Sequence, residues 1–290
     1  MKRINFSNQV ANILEHNKDG SFSTQSARYR ILMQSSKELK ELGFKSVTTK
    51  NLGARHIDKL VCLWKAKELS TATIKNRVSH FRWLSQKINK QNIIPRTNKE
   101  LSIPNRKYAD NSINKAKELD LIKLDKLSEK YQLSLQLQRE FGLRREESLK
   151  YIGSYADKTD KIILKASWCK GGRAREILVR TDKQRALLNK INNFVGKGSL
   201  IPKDKTYIQH LKAFEVACSR VDIKNMHGYR HQYAQDRYKE LTGLNCPKAG
   251  GLKSKELSNE QKELDYKARM IISGELGHGR EEITVQYLGR

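Results

Sequence analysis

Six side chains in the second half of the chain are of the types that transfer a phosphoryl group: Arg144, Lys170, His227, Arg230, His278 and Tyr287. An arginine can donate forked hydrogen bonds to the non-bridging oxygens of a phosphodiester. A tyrosine hydroxyl can act as a nucleophile that forms a covalent intermediate, and a lysine at a mobile hairpin tip can protonate the departing oxygen. Cationic side chains would then stabilise charge that a metal ion otherwise neutralises. The sequence therefore predicts phosphoryl transfer without a metal or another cofactor.

The order and spacing of these residues carry more information than any one motif. The tripeptide Gly-Leu-Arg ends at Arg144, and Lys170 opens the sequence Lys-Gly-Gly-Arg. His227 and Arg230 are three residues apart, so they share a face if this segment is helical. Tyr287 lies nine positions after the histidine of a Leu-Gly-His tripeptide. Each motif alone arises often by chance, whereas the set in this order is specific.

Neighbouring residues offer competing assignments. Arg145 competes with Arg144, but the preceding Gly-Leu and the spacing to Glu147 favour Arg144, and Arg145 is then a surface or backbone-contact residue. We predict that Glu147 is a buried organiser of the arginine and histidine rather than a proton-transfer group. His231 follows Arg230 directly, and we expect it on a different helix face as a structural hydrogen-bonding residue.

Composition indicates a polyanionic partner in a reducing compartment. The chain has 290 residues with 58 Lys and Arg against 31 Asp and Glu, a formal net charge of +27. This excess argues against an enzyme for small neutral substrates and favours nucleic acid. The sequence contains no apolar run long enough to span a membrane. Its four cysteines are scattered without a Cys-x-x-Cys pair, which argues against structural zinc and disulfides and fits the cytoplasm.

The first half of the chain is predicted to be helical, with a charged face toward DNA. Helices are expected over 5–16, from an N-cap at Ser23-Thr24 to Gly43, over 53–69, and from Thr71 to about Ile88. The last of these has an apolar stripe, and its opposite face is predicted to carry the DNA-contact residues Lys75, Arg77 and Arg82.

The second half is predicted to be mostly helical around one β-hairpin. The hairpin spans 161–180, with strands over 161–169 and 176–180 and a turn at 170–173. Helices are expected at roughly 124–141, 145–152, 182–195, 206–220, 228–241 and 262–274. The fold class is therefore mainly α with a small β-sheet. The basic stretch around Pro95 and Pro104 lacks apolar periodicity and indicates a linker between two domains.

The four segments resemble, in this order, those of the tyrosine site-specific recombinases, the phage-type integrases. Arg144 and Glu147 match the family's first box, and Lys170 matches its hairpin lysine. His227 and Arg230 match the family's His-x-x-Arg-His box, and His278 matches its Leu-Gly-His box. Tyr287 matches the nucleophile that the family has nine positions after that histidine. The resemblance implies a helical core-binding domain over 1–105, a linker over 106–117 and an α+β catalytic domain over 118–290.

The resemblance also implies an activity. Such an enzyme cuts and rejoins DNA through a 3′-phosphotyrosine and serves a mobile element. Its expected partners are double-stranded attachment sites, further copies of itself in a tetramer on DNA, and DNA-bending or directionality factors, with no membrane. The expected location is the cytoplasm, on the bacterial nucleoid. Arg173 and Arg175 in the hairpin are predicted to contact DNA.

One unusual spacing and the choice between related functions are left open by the sequence. His227 and His278 are 51 residues apart, more than in compact family members, and the extra stretch at 241–262 is predicted to be an assembly or DNA-contacting loop. A type IB topoisomerase uses similar residues without exchanging strands. A non-catalytic, sequence-specific DNA-binding protein on the same scaffold is a second alternative, against which the complete set of six residues argues. A ribosomal or RNA-binding protein is a third, which would explain the charge but not the motifs.

Overall fold

The computed structural model describes residues 5–105 and 111–290. The chain divides into two compact units, Met1–Lys107 and Tyr108–Arg290. Among the described residues, the first unit has one hydrophobic core and the second has three clusters of buried apolar side chains. The described residues are mostly helical with one small antiparallel sheet. The predicted fold class is therefore confirmed.

Over residues 5–105, the first unit contains four α-helices, α1 (Phe6–His16), α2 (Phe22–Glu41), α3 (Ala54–Ala66) and α4 (Thr71–Lys87). Their apolar stripes meet in a core around Trp64, which is fully buried. The predicted start of α2 is wrong by two residues. The N-cap is Ser21, whose hydroxyl accepts a hydrogen bond from the Thr24 amide at 3.2 Å, so Ser23 and Thr24 lie inside the first turn.

The predicted DNA-contact face of α4 is largely occupied inside the unit. Arg77 is buried, and its Nη1 donates to both carboxylate oxygens of Glu38 at 3.3 Å. It lies three residues after Ile74, so it shares the apolar face of the helix. Arg82 donates to the Pro95 carbonyl at 3.0 and 3.2 Å and to the Asn98 side chain. Lys75 is half-buried. The structure thus contradicts the phosphate-contact prediction for Arg77.

The second unit contains nine helices within its described residues. Four of them precede the sheet: α5 (Leu121–Asp125), α6 (Glu129–Glu140), α7 (Arg145–Leu149) and α8 (Gly153–Ala156). Five follow it: α9 (Asp182–Val195), α10 (Tyr207–Arg220), α11 (His227–Thr242), α12 (Asn259–Glu275) and α13 (Val285–Leu288). The segment predicted as one helix over 124–141 contains parts of two helices, because residues 126–128 between α5 and α6 are not helical.

The predicted hairpin exists but is shorter than expected. Strands β1 (Lys161–Leu164) and β2 (Arg175–Leu178) pair antiparallel, with Leu164 opposite Arg175. The rest of the apolar run forms a 3-10 turn at Ala166–Trp168, which buries the Trp168 ring in the core. The predicted turn at 170–173 remains exposed.

Part of the predicted linker packs on the second unit. Residues 106–110 lie outside the described residues. After them, the Lys117 amide donates to the Gly228 carbonyl at 3.1 Å, and Asn114 exchanges hydrogen bonds with the Gln235 side chain. Residues 111–117 are therefore held against α11. Within the described ranges, no helix is long and apolar enough to cross a bilayer.

The buried Arg77–Glu38 pair should contribute to the stability of the first unit. Glu38 also accepts a hydrogen bond from the Trp64 indole at 2.8 Å. Arg77→Ala should lower the free energy of unfolding by about 1.5–3 kcal/mol, because Glu38 loses a charged hydrogen-bond donor and keeps the half-exposed Lys67, with its Nζ at 3.4 Å, as a cationic partner. Urea denaturation followed by tryptophan fluorescence would measure this loss, and Lys59→Ala on the exposed face of α3 is the control. A loss equal to that of the control would contradict the prediction.

Candidate active site

The first candidate arginine is fixed where the chain enters α7. Arg144 is the N-cap of this helix, and the Glu147 carboxylate accepts from the Arg144 amide at 2.6 Å and from its Nη1 at 2.9 Å. Gly142 has a φ of +61°, and a Cβ there would lie 2.5 Å from the Tyr233 ring. A glycine is therefore required two residues before the arginine.

The second candidate arginine is buried at the start of α11. Arg230 is 1% exposed, and its two Nη atoms donate to the backbone carbonyls of Gly142 and Leu276. Arg144 Nη2 donates to the same Leu276 carbonyl at 3.0 Å. One acceptor thus holds both guanidinium groups side by side, although they come from segments far apart in the chain.

The Leu-Gly-His segment that carries His278 begins with Leu276, the residue that provides this shared carbonyl. Helix α12 ends at Glu275, and Gly277 turns the chain with a φ of +65°. His278 is half-buried, with its Nε2 3.5 Å from Arg144 Nη2. The turn therefore brings the histidine to the edge of the arginine pair.

Tyr287 closes the site from the C-terminal side. It is 5% exposed, and its hydroxyl lies 3.3 Å from Arg230 Nε and 3.5 Å from His278 Nε2. Its backbone carbonyl accepts from the Gln235 side chain at 3.1 Å. Lys248, in the extra stretch at 241–262, donates to the Gln286 carbonyl at 2.8 Å. The phenol is thus held against Arg230 and His278 of its own chain.

Three histidine rings surround the phenol ring. The His231 centroid lies 4.7 Å from that of Tyr287, and those of His227 and His278 lie at 6.0 and 6.1 Å. The expectation that His231 faces elsewhere is therefore wrong. It is four residues after His227 on the same helix, and residues at this spacing share a face.

These histidines are kept neutral by burial and by neighbouring cations. Loss of solvent around its ring, together with the charges of Arg230 and Arg144, lowers the pKa of His227 to about 4, although part of this side chain reaches the surface. The same causes lower the pKa of His278 to about 4. Burial lowers the pKa of His231 to about 3. At neutral pH each ring can therefore accept a proton.

Glu147 is the anion at the centre of this cluster. Burial alone would raise its pKa, but the hydrogen bonds and charge of Arg175 and the charge of Arg230 lower the pKa to about 2. The carboxylate is fully buried and stays ionised. Burial lowers the pKa of Arg230 to about 10, so this guanidinium remains charged at neutral pH.

The three hairpin residues have different surroundings. Lys170 is exposed at the turn, and its charge contributes to the lowered pKa of His278. Arg173 is exposed as well. The structure contradicts the DNA-contact prediction for Arg175, because its side chain is 6% exposed and is paired with Glu147 at 2.7 Å. Within the described part of the chain, no group of three or more histidine, cysteine or acidic side chains could hold a metal ion.

The buried His231 should make the second unit acid-sensitive. Its folded-state pKa lies below the ordinary value, so the unfolded chain binds the proton first as the pH falls. Stability is therefore full above about pH 6.5 and is lost as the pH falls toward 3.

Between pH 7 and 5, His231 should account for about 2 kcal/mol of the fall in the free energy of unfolding. His231→Phe keeps an aromatic ring against Tyr287 and should remove that part of the fall, as measured by urea denaturation at both pH values. An identical pH dependence in the two proteins would contradict the assignment.

Comparisons with known proteins identify the family of the chain. The model of the N-terminal domain of phage integrases matches residues 4–94, and the integrase model matches residues 104–236. No protein in the curated set matches significantly. The structure is similar to that of the XerH site-specific recombinase bound to difH substrate, with 16% identity, a TM-score of 0.57 and coverage of 97% of this chain and 80% of that one.

A second similar structure is the Tn1549 transposon integrase (residues 82–397, Y379F) in complex with transposon right-end DNA. It shares 13% identity and a TM-score of 0.58, over 98% of this chain and 94% of that one. At such identities these two structures show the fold alone. The two family models, however, together cover most of the sequence and follow the order of the two units. The chain therefore belongs to the phage integrase family, the tyrosine site-specific recombinases.

Proposed function

We propose that this protein is a site-specific DNA recombinase that cuts and rejoins strands through a 3′-phosphotyrosine on Tyr287. The observation that carries the proposal is the contact of the phenol oxygen with Arg230 Nε at 3.3 Å and with His278 Nε2 at 3.5 Å. A nucleophile, two guanidinium groups and neutral histidines thus meet at one point. This arrangement fits attack on a DNA phosphate without a metal or nucleotide cofactor.

In the first step, the Tyr287 oxygen forms a bond to phosphorus and the bond from phosphorus to the 5′ oxygen breaks. Arg144, Arg230 and His278 stabilise the charge on the non-bridging oxygens. Lys170 gives its proton to the 5′ oxygen. The covalent link retains the bond energy, so a 5′ hydroxyl of a partner strand can attack it and reverse the chemistry.

The phenol must lose its proton during the attack, and its ordinary pKa is about 10. We take His227 as the base, because its lowered pKa leaves the ring uncharged at neutral pH. In the free protein His278 lies nearer the phenol oxygen, at 3.5 Å. We assign the proton to His227 in the DNA complex, because His278 is then engaged with the phosphate.

DNA binding and assembly complete the proposal. The net charge of +27 suits a duplex partner. XerH and the Tn1549 integrase were solved on their DNA substrates, which supports double-stranded attachment sites as the partner here. We propose that the recombinase acts as a tetramer on two sites, serves a mobile element with bending or directionality factors, and works on the bacterial nucleoid.

The covalent intermediate gives the direct test. The attachment site is first located by footprinting on the ends of the element that encodes the protein. The test substrate is a duplex with a nick just beyond the cleaved phosphate. Cleavage releases the short fragment that carries the 5′ hydroxyl, so the strand cannot be rejoined and the protein stays covalently attached. We expect a covalent adduct with the native chain and none with Tyr287→Phe. An adduct that survives this substitution, or no adduct with the native chain at the mapped site, would refute the proposal.

The same substrates separate the two alternative functions. A topoisomerase-like enzyme would relax a supercoiled plasmid that carries no paired site, whereas a recombinase should exchange strands only between two sites. A non-catalytic DNA-binding protein would footprint the site without forming an adduct.

Transition-state stabilisation by the buried guanidinium is tested with Arg230→Lys. The lysine cannot donate to Gly142, Leu276 and the phosphate together, since it lacks the planar fork. The rate of adduct formation should fall by about 100- to 1,000-fold, while the dissociation constant for the duplex changes by less than about 3-fold because most phosphate contacts lie elsewhere. A parallel loss of binding and cleavage would show that Arg230 serves binding alone.

A further inference from the structure

Arg175 makes contacts that neither the sequence motifs nor the proposed chemistry explain. It is the first residue of β2 and lies five positions after Lys170. Its Nη1 and Nη2 donate to the two oxygens of Glu147 at 2.9 and 2.7 Å. This is a forked pair with a fully buried carboxylate, a geometry that arginine provides and lysine does not.

The same side chain contacts two further segments. Its Nε donates to the Glu275 carbonyl at 2.8 Å, one residue before the carbonyl shared by the two catalytic arginines. Its Nη1 lies 3.3 Å from the sulfur of Cys169, the residue before Lys170. A Cβ on Gly277 would lie 3.0 to 3.3 Å from its guanidinium, so the side chain crosses the turn that carries His278.

These contacts tie the hairpin to the arginine pair. The tip between Cys169 and Arg175 is exposed, and a Cβ on Gly171 or Gly172 would meet no atom within 4 Å. The tip itself therefore provides little packing to position Lys170. Instead, strand pairing holds the end of the tip at Arg175. The Arg175 side chain also contacts Cys169 at the other end, and its hydrogen bonds to Glu147 and Glu275 fix it in place.

We propose that Arg175 is a positioning residue, which sets the place of Lys170 relative to the phosphate held by Arg144 and Arg230. This inference rests on the proposed function, in which Lys170 protonates the 5′ oxygen. Arg175 itself does not contact DNA. Replacing Arg175 should therefore slow the departure of the leaving group without changing the DNA affinity or the positions of Arg144 and Arg230.

A change of leaving group separates this role from a general structural one. In a duplex whose 5′ bridging oxygen at the cleaved phosphate is replaced by sulfur, the thiolate departs without a proton, because a thiol is far more acidic than an alcohol. Arg175→Lys should slow cleavage of the ordinary duplex by about 10- to 100-fold, the usual effect of a misplacement near 1 Å. On the sulfur substrate its rate should return to within about 3-fold of the native rate.

Two controls define the comparison. Arg185→Lys makes the same change in another arginine–carboxylate pair of this unit, with Asp157 at 2.8 Å, and should leave both rates unchanged. Arg230→Lys should be equally slow on both substrates. The dissociation constant of Arg175→Lys for the duplex should match the native value, and circular dichroism melting with bound DNA fixes a temperature at which every variant is folded.

A second variant tests the idea without altering the buried pair. Insertion of one glycine between Gly171 and Gly172 lengthens the exposed tip and should give the same defect, again relieved by sulfur. The proposal is overturned if Arg175→Lys is equally slow on both substrates, if it is fast on both, if it loses DNA affinity, or if the longer tip has no effect. Failure of the native chain to cleave either substrate would instead count against the proposed function.

Discussion

A single buried carboxylate makes the concentration of positive charge in this site possible. Arg144, Arg175 and Arg230 gather around Glu147, which is fully buried. Cations removed from water at such distances repel one another strongly, and the cost falls only when an anion and hydrogen-bond acceptors lie between them. Glu147 supplies the anion, and the carbonyls of Glu275 and Leu276 supply acceptors. The cluster still carries more positive than negative charge.

That remaining charge adds to the effect of burial on the histidines and prepares the site for an anion. Burial, together with the neighbouring cations, lowers the pKa of His227 and His278 in the free protein. In the proposed function, a DNA phosphate would balance the excess and raise both pKa values. A histidine that is neutral before binding can then accept the phenol proton and be stabilised as a cation beside the phosphate. Substrate binding and proton transfer are thereby linked through the same charges.

The sequence predicts which side chains meet but not what holds them. Residue type and motif spacing were enough to single out the candidate residues, since each motif is local. Arg77 and Arg175 were misjudged because their partners, Glu38 and Glu147, are 39 and 28 residues away. Burial of an arginine depends on such a partner, and periodicity within one helix or strand cannot reveal it. His231 was misjudged for a simpler reason, since its spacing from His227 already placed it on the same face.

The stretch at 241–262 shows how a connecting segment can support a candidate site without contributing a reacting group. Cys246 is fully buried in the cluster that includes Tyr287 and Leu288, which anchors the stretch to the core. Lys248, two residues on, reaches the Gln286 carbonyl. Helix α13 has only four residues, which is too short for a helix to be stable by itself. Tyr287, the proposed nucleophile, therefore depends on contacts from outside its own helix, from Gln235 on one side and from this stretch on the other.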